Sequence, residues 1–158
     1  MEEIMLFTDG SVDTNSNIGI GAYLIVLNAE TSIEQLNKQI KLKKFENTSS
    51  TKLELQTLLW ALNEIQGSVR RITVYTDSQN TVGLLGRRKR FEQNSYRTRT
   101  NERIKNYKLY QEFYRITDIL DCEFVKVRGH QKTSQKDYIQ KIFTLVDRAS
   151  RSALREEK

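Results

Sequence analysis

The chain has 158 residues, 37% apolar and 29% charged, with no proline and one cysteine; that length suits one domain with a real core and is short for two. No apolar run approaches the roughly 18 residues of a membrane span, and the start MEEIMLFTDGS lacks a basic stretch followed by an apolar core, so neither a span nor a secretion signal is expected and the expected address is the cytoplasm. With 26 Lys and Arg against 20 Asp and Glu the net charge is +6, a modest bias toward polyanionic partners, while the lone Cys122, beside Phe124 and Val125, supports no disulfide framework or cysteine metal site and reads as a buried thiol.

Residues 4–9 and 18–27 are β-prone, and the polar link between them suits a hairpin loop. A third strand is expected within 32–45, where charged and apolar residues alternate in QIKLKKF. The period then changes: Leu55, Leu58, Leu59, Leu62 and Ile65 fall at helical spacing, with Ser50 or Thr51 as N-cap and Gly67 as the stop. RITVYTD over 71–77 is the next strand and SQNTVGLLG a short helix. After a basic stretch, Leu109, Phe113, Ile116 and Leu120 mark one face of a longer helix, with Tyr107 and Tyr110 also expected in the core. CEFVKV, Cys122 to Val127, is a fifth strand; after the loop RGHQKTSQKD, IQKIFTLVDRASRSALREE closes the chain as a helix. The order implies an α/β fold with a five-stranded mixed sheet, three antiparallel strands followed by parallel crossovers, flanked by helices. Nothing in the composition divides residues 1–158 into more than one domain.

Two of these strands, in LFTDGS and VYTDSQ, end in Thr-Asp before a small residue. A single acid at a strand tip is an ordinary turn residue. Two held together, Asp9 and Asp77, would repel and raise one another's pKa, an arrangement that suits a divalent cation with oxygen ligands, Mg²⁺ or Mn²⁺. Glu54 lies in the first turns of the apolar helix, between Leu53 and Leu55.

FTDGS after the first strand, LEL in the first long helix, YTDSQ after the fourth strand, a Gly-His in a loop and VDRAS in the last helix together resemble ribonuclease H of type 1, over nearly the whole chain. The resemblance implies a ribonuclease H-like fold and a metal-dependent endonuclease that hydrolyses the RNA strand of RNA–DNA hybrids by a two-metal mechanism. It implies Asp9, Glu54, Asp77 and Asp147 as the ligands of two Mg²⁺ ions, with Mn²⁺ as a substitute, and His130 as an auxiliary histidine. Asn15, Ser49, Ser50 and Gln79 match the family's polar contacts to the hybrid. The pattern departs from the family at TNSN around Asn15, at Ser50 and Thr51 where two asparagines are usual, and in the long interval from His130 to Asp147. That interval holds a second acid, Asp137; Asp147 is preferred as ligand because Ile142, Leu145, Val146 and Ala149 form an apolar helical face that holds it in a fixed direction, and Asp137 is read as a cap.

Between Arg87 and Lys105 stand eight basic and two acidic residues, an excess equal to the net charge of the whole chain. This stretch resembles the family's basic protrusion. Arg87, Arg88, Lys89 and Arg90 are its expected phosphate contacts, and Phe91 and Tyr96 are available to stack on bases or sugars. A monomer without an obligate protein partner is expected. The competing readings are a ribonuclease H module of a reverse transcriptase, with the same fold and chemistry, and a non-catalytic binder of hybrid or double-stranded RNA. Acids at all four motifs argue against the binder, which gains nothing from negative charge where phosphates pass.

Overall fold

The computed structural model describes residues 3–27, 31–65, 71–128 and 137–157. The first two β-prone runs form β1 (Glu3–Asp13) and β2 (Ile18–Val26), an antiparallel pair in register from Met5 opposite Val26 to Asp13 opposite Ile18. The Asp13 carboxylate closes the turn by accepting from the Asn15 backbone N–H (3.1 Å) and the Ser16 hydroxyl (3.1 Å), and Asn17 takes the left-handed conformation at φ 58°, a role Asn tolerates well. Strand β1 therefore continues past Asp9: the ladder with β2 carries it to Asp13, and Asp9 lies inside the strand rather than at its tip.

The third strand is shorter than expected. The Ser32 hydroxyl accepts from the Gln35 N–H (3.2 Å) and starts a short helix, α1 (Ile33–Asn37), so only Lys41–Phe45 remains extended as β3, antiparallel to β2. Helix α2 (Ser50–Ile65) follows. Its cap is Ser49, one residue before the expected Ser50 or Thr51: the Ser49 carbonyl accepts from the Leu53 N–H (2.8 Å) and its hydroxyl from the Lys52 N–H (3.4 Å). Ser50 is already helical and no longer in position to cap. Gly67, the expected stop, lies outside the described residues.

Strand β4 (Arg71–Thr76) pairs parallel with β1, and β5 (Asp121–Lys126) parallel with β4, giving the mixed sheet β3-β2-β1-β4-β5. Between β4 and β5 come α3 (Gln79–Val82), α4 (Leu84–Gln93) and α5 (Tyr107–Ile119). SQNTVGLLG is thus two helices that meet at Gly83, which ends one and begins the next, as suits a residue of poor helix propensity. The last helix, α6 (Tyr138–Glu156), begins with a capping box: the Asp137 carboxylate accepts from the Gln140 N–H (2.8 Å) and the Gln140 side chain accepts from the Asp137 N–H (3.3 Å). Asp137 is the cap its composition suggested. Cys122 is half-buried, and burial, followed by the charge of Asp121, pushes its thiol up to about 12, which leaves it unreactive.

Strand β1 is buried on both faces, as a strand with helices above and below must be. Ile4 and Leu6 pack with Leu55, Leu58 and Leu62 of α2 and with Phe113 and Ile116 of α5, whereas Phe7 packs with Ile142 and Val146 of α6. Near its N-terminus α2 sits directly on the glycine pair Gly10 and Gly21, cross-strand partners in β1 and β2. A Cβ on Gly10 would come 2.7 Å from Leu53 Cδ2, and one on Gly21 would collide with the Thr57 hydroxyl. The absence of side chains there lets the turns that carry Glu54 descend onto the sheet. Gly21→Val, although it raises strand propensity, should lower stability by about 1–3 kcal/mol in a urea melt through overpacking; unchanged stability would show that α2 is not seated on this strand.

Candidate active site

The parallel pairing of β1 with β4 ends at Phe7 opposite Tyr75, and just beyond it the two strands carry Asp9 and Asp77. Asp9, Glu54 and Asp77 line one small cleft together with Thr8, Thr57 and Thr76. Asp147, midway along α6, hydrogen-bonds to the Asp9 carboxyl from the other side. The four acids named from the sequence are thus brought together at one end of the sheet, from two strands and two helices.

Their proximity shows in their protonation. Burial pushes the Asp9 carboxyl up to about 9; the hydrogen bond with Asp147 and the charges of Asp77 and Asp147 act in the same direction, and only the Gly10 N–H opposes them. At neutral pH Asp9 keeps its proton. Burial also raises Glu54, opposed by a hydrogen bond from Ser78 and reinforced by Asp77.

Three tethers hold these acids. The Ser78 hydroxyl donates to Glu54 Oε2 (2.6 Å) while accepting from the Thr81 N–H (3.1 Å) as the cap of α3. Arg151, one helical turn after Asp147, places Nε 3.0 Å from its Oδ1. The fully buried Ser150 donates to the Asp147 carbonyl (2.9 Å) and shares a hydrogen bond with the Ser11 hydroxyl (3.0 Å), joining α6 to β1 beside Asp9. None of these tethers was singled out from the sequence, although Ser11 and Ser78 stand inside the FTDGS and YTDSQ motifs and Arg151 falls at i+4 from Asp147.

The donor set is carboxylate oxygen only, and its most buried member cannot hold its charge unaided, so the residues fit a hard divalent cation. Among the described residues no three such side chains are already drawn into a coordination shell; Ser78 holds Glu54 and Arg151 holds Asp147. His130 lies outside the described residues.

The expected nucleic-acid contacts fall into distinct groups. Asn15 is exposed in the β1–β2 turn, and Gln79 is exposed at the start of α3. Ser49 and Ser50 line a cleft of about 340 Å³ with Thr51, Lys105, Asn106 and Tyr110, where the N-termini of α2 and α5 meet; Asn106 was not anticipated. In α4, the Arg87 guanidinium turns inward and donates to the Asn80 carbonyl (2.5 Å) and Oδ1 (2.8 Å). Arg88 forms a two-pronged pair with Asp118 (2.5 and 2.9 Å) and reaches Glu92 (3.1 Å). Lys89 and Arg90 are exposed. Phe91 and Tyr96 are not available for stacking: Phe91 lies against Tyr110 (5.3 Å between centroids) and Tyr96 (5.9 Å), and Tyr96 is buried. A helix as charged as α4 has few other apolar groups with which to anchor itself to the core.

The RNase H family model matches residues 1–151. The chain belongs to the ribonuclease H family. Ribonuclease H of Caldicellulosiruptor saccharolyticus is 28% identical over 161 aligned residues, covering 99% of each chain, and that of Acetivibrio thermocellus is 26% identical, covering 91% of this chain and 94% of the relative. Among solved structures, LC9-RNase H1, a type 1 RNase H with the type 2 active-site motif, superposes with a TM-score of 0.71 at 19% identity, over 96% of this chain and 72% of that one. The fold and the expected five-stranded mixed sheet agree with that neighbour. As a ribonuclease H the protein is a hydrolase, an endonuclease for the RNA strand of RNA–DNA hybrids.

The protonation of Asp9 has a measurable consequence. Folded, the group keeps its proton up to about pH 9; unfolded, it releases it near 3.8, so the folded state loses stability at this position as pH rises across that interval. Asp9→Asn removes the titration. In metal-free buffer its melting temperature should exceed that of the wild type at pH 8 and approach it near pH 4; a constant difference across the range would overturn the assignment.

Proposed function

We propose that Asp9, Glu54, Asp77 and Asp147 hold two Mg²⁺ ions, replaceable by Mn²⁺, for hydrolysis of the RNA strand of a hybrid, with His130 as an auxiliary group. The observation that carries this reading is the meeting of four carboxylates at one end of the sheet, where burial first, and then the neighbouring carboxyls of Asp147 and Asp77, push the Asp9 carboxyl up to about 9. When bound, the metal pair supplies the Lewis acidity that lets water cleave a phosphodiester to a 5′-phosphate and a 3′-hydroxyl.

The chain's own residues supply position. Strands β1 and β4 give Asp9 and Asp77 a rigid base, Ser78 holds the Glu54 carboxylate, and the bond between Ser150 and Ser11 keeps the Asp147 turn against β1. Asp9 gives up its proton when a cation takes its place. His130, with an ordinary pKa near 6.5, suits proton transfer or product release, a helper's part.

For the substrate, the cleft of Ser49, Ser50, Thr51, Lys105 and Asn106 offers hydroxyls, a lysine and two helix N-termini, a combination suited to a phosphate. Ser49, Ser50, Gln79 and Asn15 have the donors and acceptors that read a ribose 2′-hydroxyl. In α4, Arg87 and Arg88 are engaged within the protein, which leaves Lys89 and Arg90 as the stronger candidates for phosphate contact. Among the described residues no helix is long and apolar enough to cross a membrane, and the proposal extends to a monomer acting in the cytoplasm.

A labelled hybrid should be cut in its RNA strand with Mg²⁺, yielding 5′-phosphate ends, and Asp77→Asn should abolish cutting while leaving the fold intact. Cleavage in excess EDTA, or 2′,3′-cyclic phosphate products, would refute the metal mechanism. The basic helix makes a separate prediction about affinity. Replacing Lys89 and Arg90 together by Gln should weaken hybrid binding and reduce the salt slope by roughly 0.7–0.9 per lost contact, whereas Arg88→Gln should change the slope less; equal effects would mean that the Asp118 pair opens to substrate.

A further inference from the structure

The cleft lined by Asp9, Glu54 and Asp77 has an interior of about 10 Å³, at the lower limit of what one water molecule requires. Thr57 borders it, three residues after Glu54 and so on the same face of α2. Thr57 is 1% exposed, and its hydroxyl has no hydrogen-bond partner among the described residues. A valine would fill the same volume without burying an unpaired polar group, so the hydroxyl calls for an explanation. Gly21 lies opposite, and it is the missing side chain there that gives the hydroxyl its room, since a Cβ would meet Oγ1. Across the cavity stands Glu54, whose Oε2 accepts from Ser78 and whose Oε1 carries no such bond among the described residues.

We propose that this cavity binds one internal water, held between the Thr57 hydroxyl and the Glu54 carboxylate, and that Thr57 is thereby a positioning residue for metal binding. The water satisfies the orphaned hydroxyl and gives Glu54 a second hydrogen bond on the side away from Ser78, so that the carboxylate is oriented before a cation arrives. The inference rests on the reading of Glu54 as a metal ligand. It is specific to a hydroxyl at position 57, because an apolar side chain there would remove the partner that fixes the water opposite Glu54.

The test has two arms. Electron density of the metal-free wild type should show a water within hydrogen-bonding distance of Thr57 Oγ1. In calorimetric Mg²⁺ titrations, Thr57→Val should bind about tenfold more weakly, with its melting temperature retained, while Thr57→Ser should match the wild type. Absence of the water, wild-type Mg²⁺ affinity in Thr57→Val, or a Thr57→Ser variant as weak as Thr57→Val would each overturn the proposal. A wild type that binds Mg²⁺ but cuts no hybrid would instead overturn the functional reading, and the density and affinity results would still decide whether Thr57 holds the water.

Discussion

Four carboxylates do not gather at one end of a sheet without electrostatic repulsion, and much of the surrounding structure serves to offset it. Asp9, the most confined of the four, meets the repulsion by keeping its proton. Glu54 and Asp147 meet it through hydrogen bonding and ion pairing with Ser78 and Arg151. These partners belong to the same elements as the acids or adjoin them, so the geometry persists without a cation while the electrostatic demand for one remains. The protein is in this sense prepared for a metal by an imbalance of charge.

That imbalance is sustained by apolar packing on both sides of the sheet. Strand β1 is clamped between α2 with α5 on one face and α6 on the other, and the glycine pair beneath α2 allows the helix close enough for Glu54 to share a cleft with Asp9 and Asp77. The contact of Ser11 with Ser150 does the corresponding work for α6. Core packing and the geometry of the four acids are therefore one problem at this end of the molecule: a residue that props up either helix would also displace an acid.

The basic surface follows a different logic. Its charges divide between those that hold the protein together and those left exposed to solvent. Arg87 anchors the corner between α3 and α4 through Asn80, and Arg88 ties α4 to α5 through Asp118, while Phe91 and Tyr96 secure the same region to the core. A rigid mount of this kind limits the conformational entropy lost on binding a polyanion. The cleft at the meeting of two helix N-termini adds partial positive charge that no count of lysines and arginines records.

From the sequence alone, the change from strand to helix periodicity placed five strands and the long helices in order, the motifs picked out Asp9, Glu54, Asp77 and Asp147, and the polar run before the last helix marked Asp137 as its cap. These features were legible because alternation, helical spacing and capping act over a few neighbouring residues. The tertiary structure alone decided that β1 runs through Asp9, since only pairing with β2 extends it. It also decided that Arg88 is spent on Asp118, thirty positions away, and that Phe91 and Tyr96 belong to the core. The proton on Asp9 depends first on burial and then on Asp147, far along the chain. Burial and charge proximity are properties of residues brought together by folding, and no local pattern in a sequence encodes them.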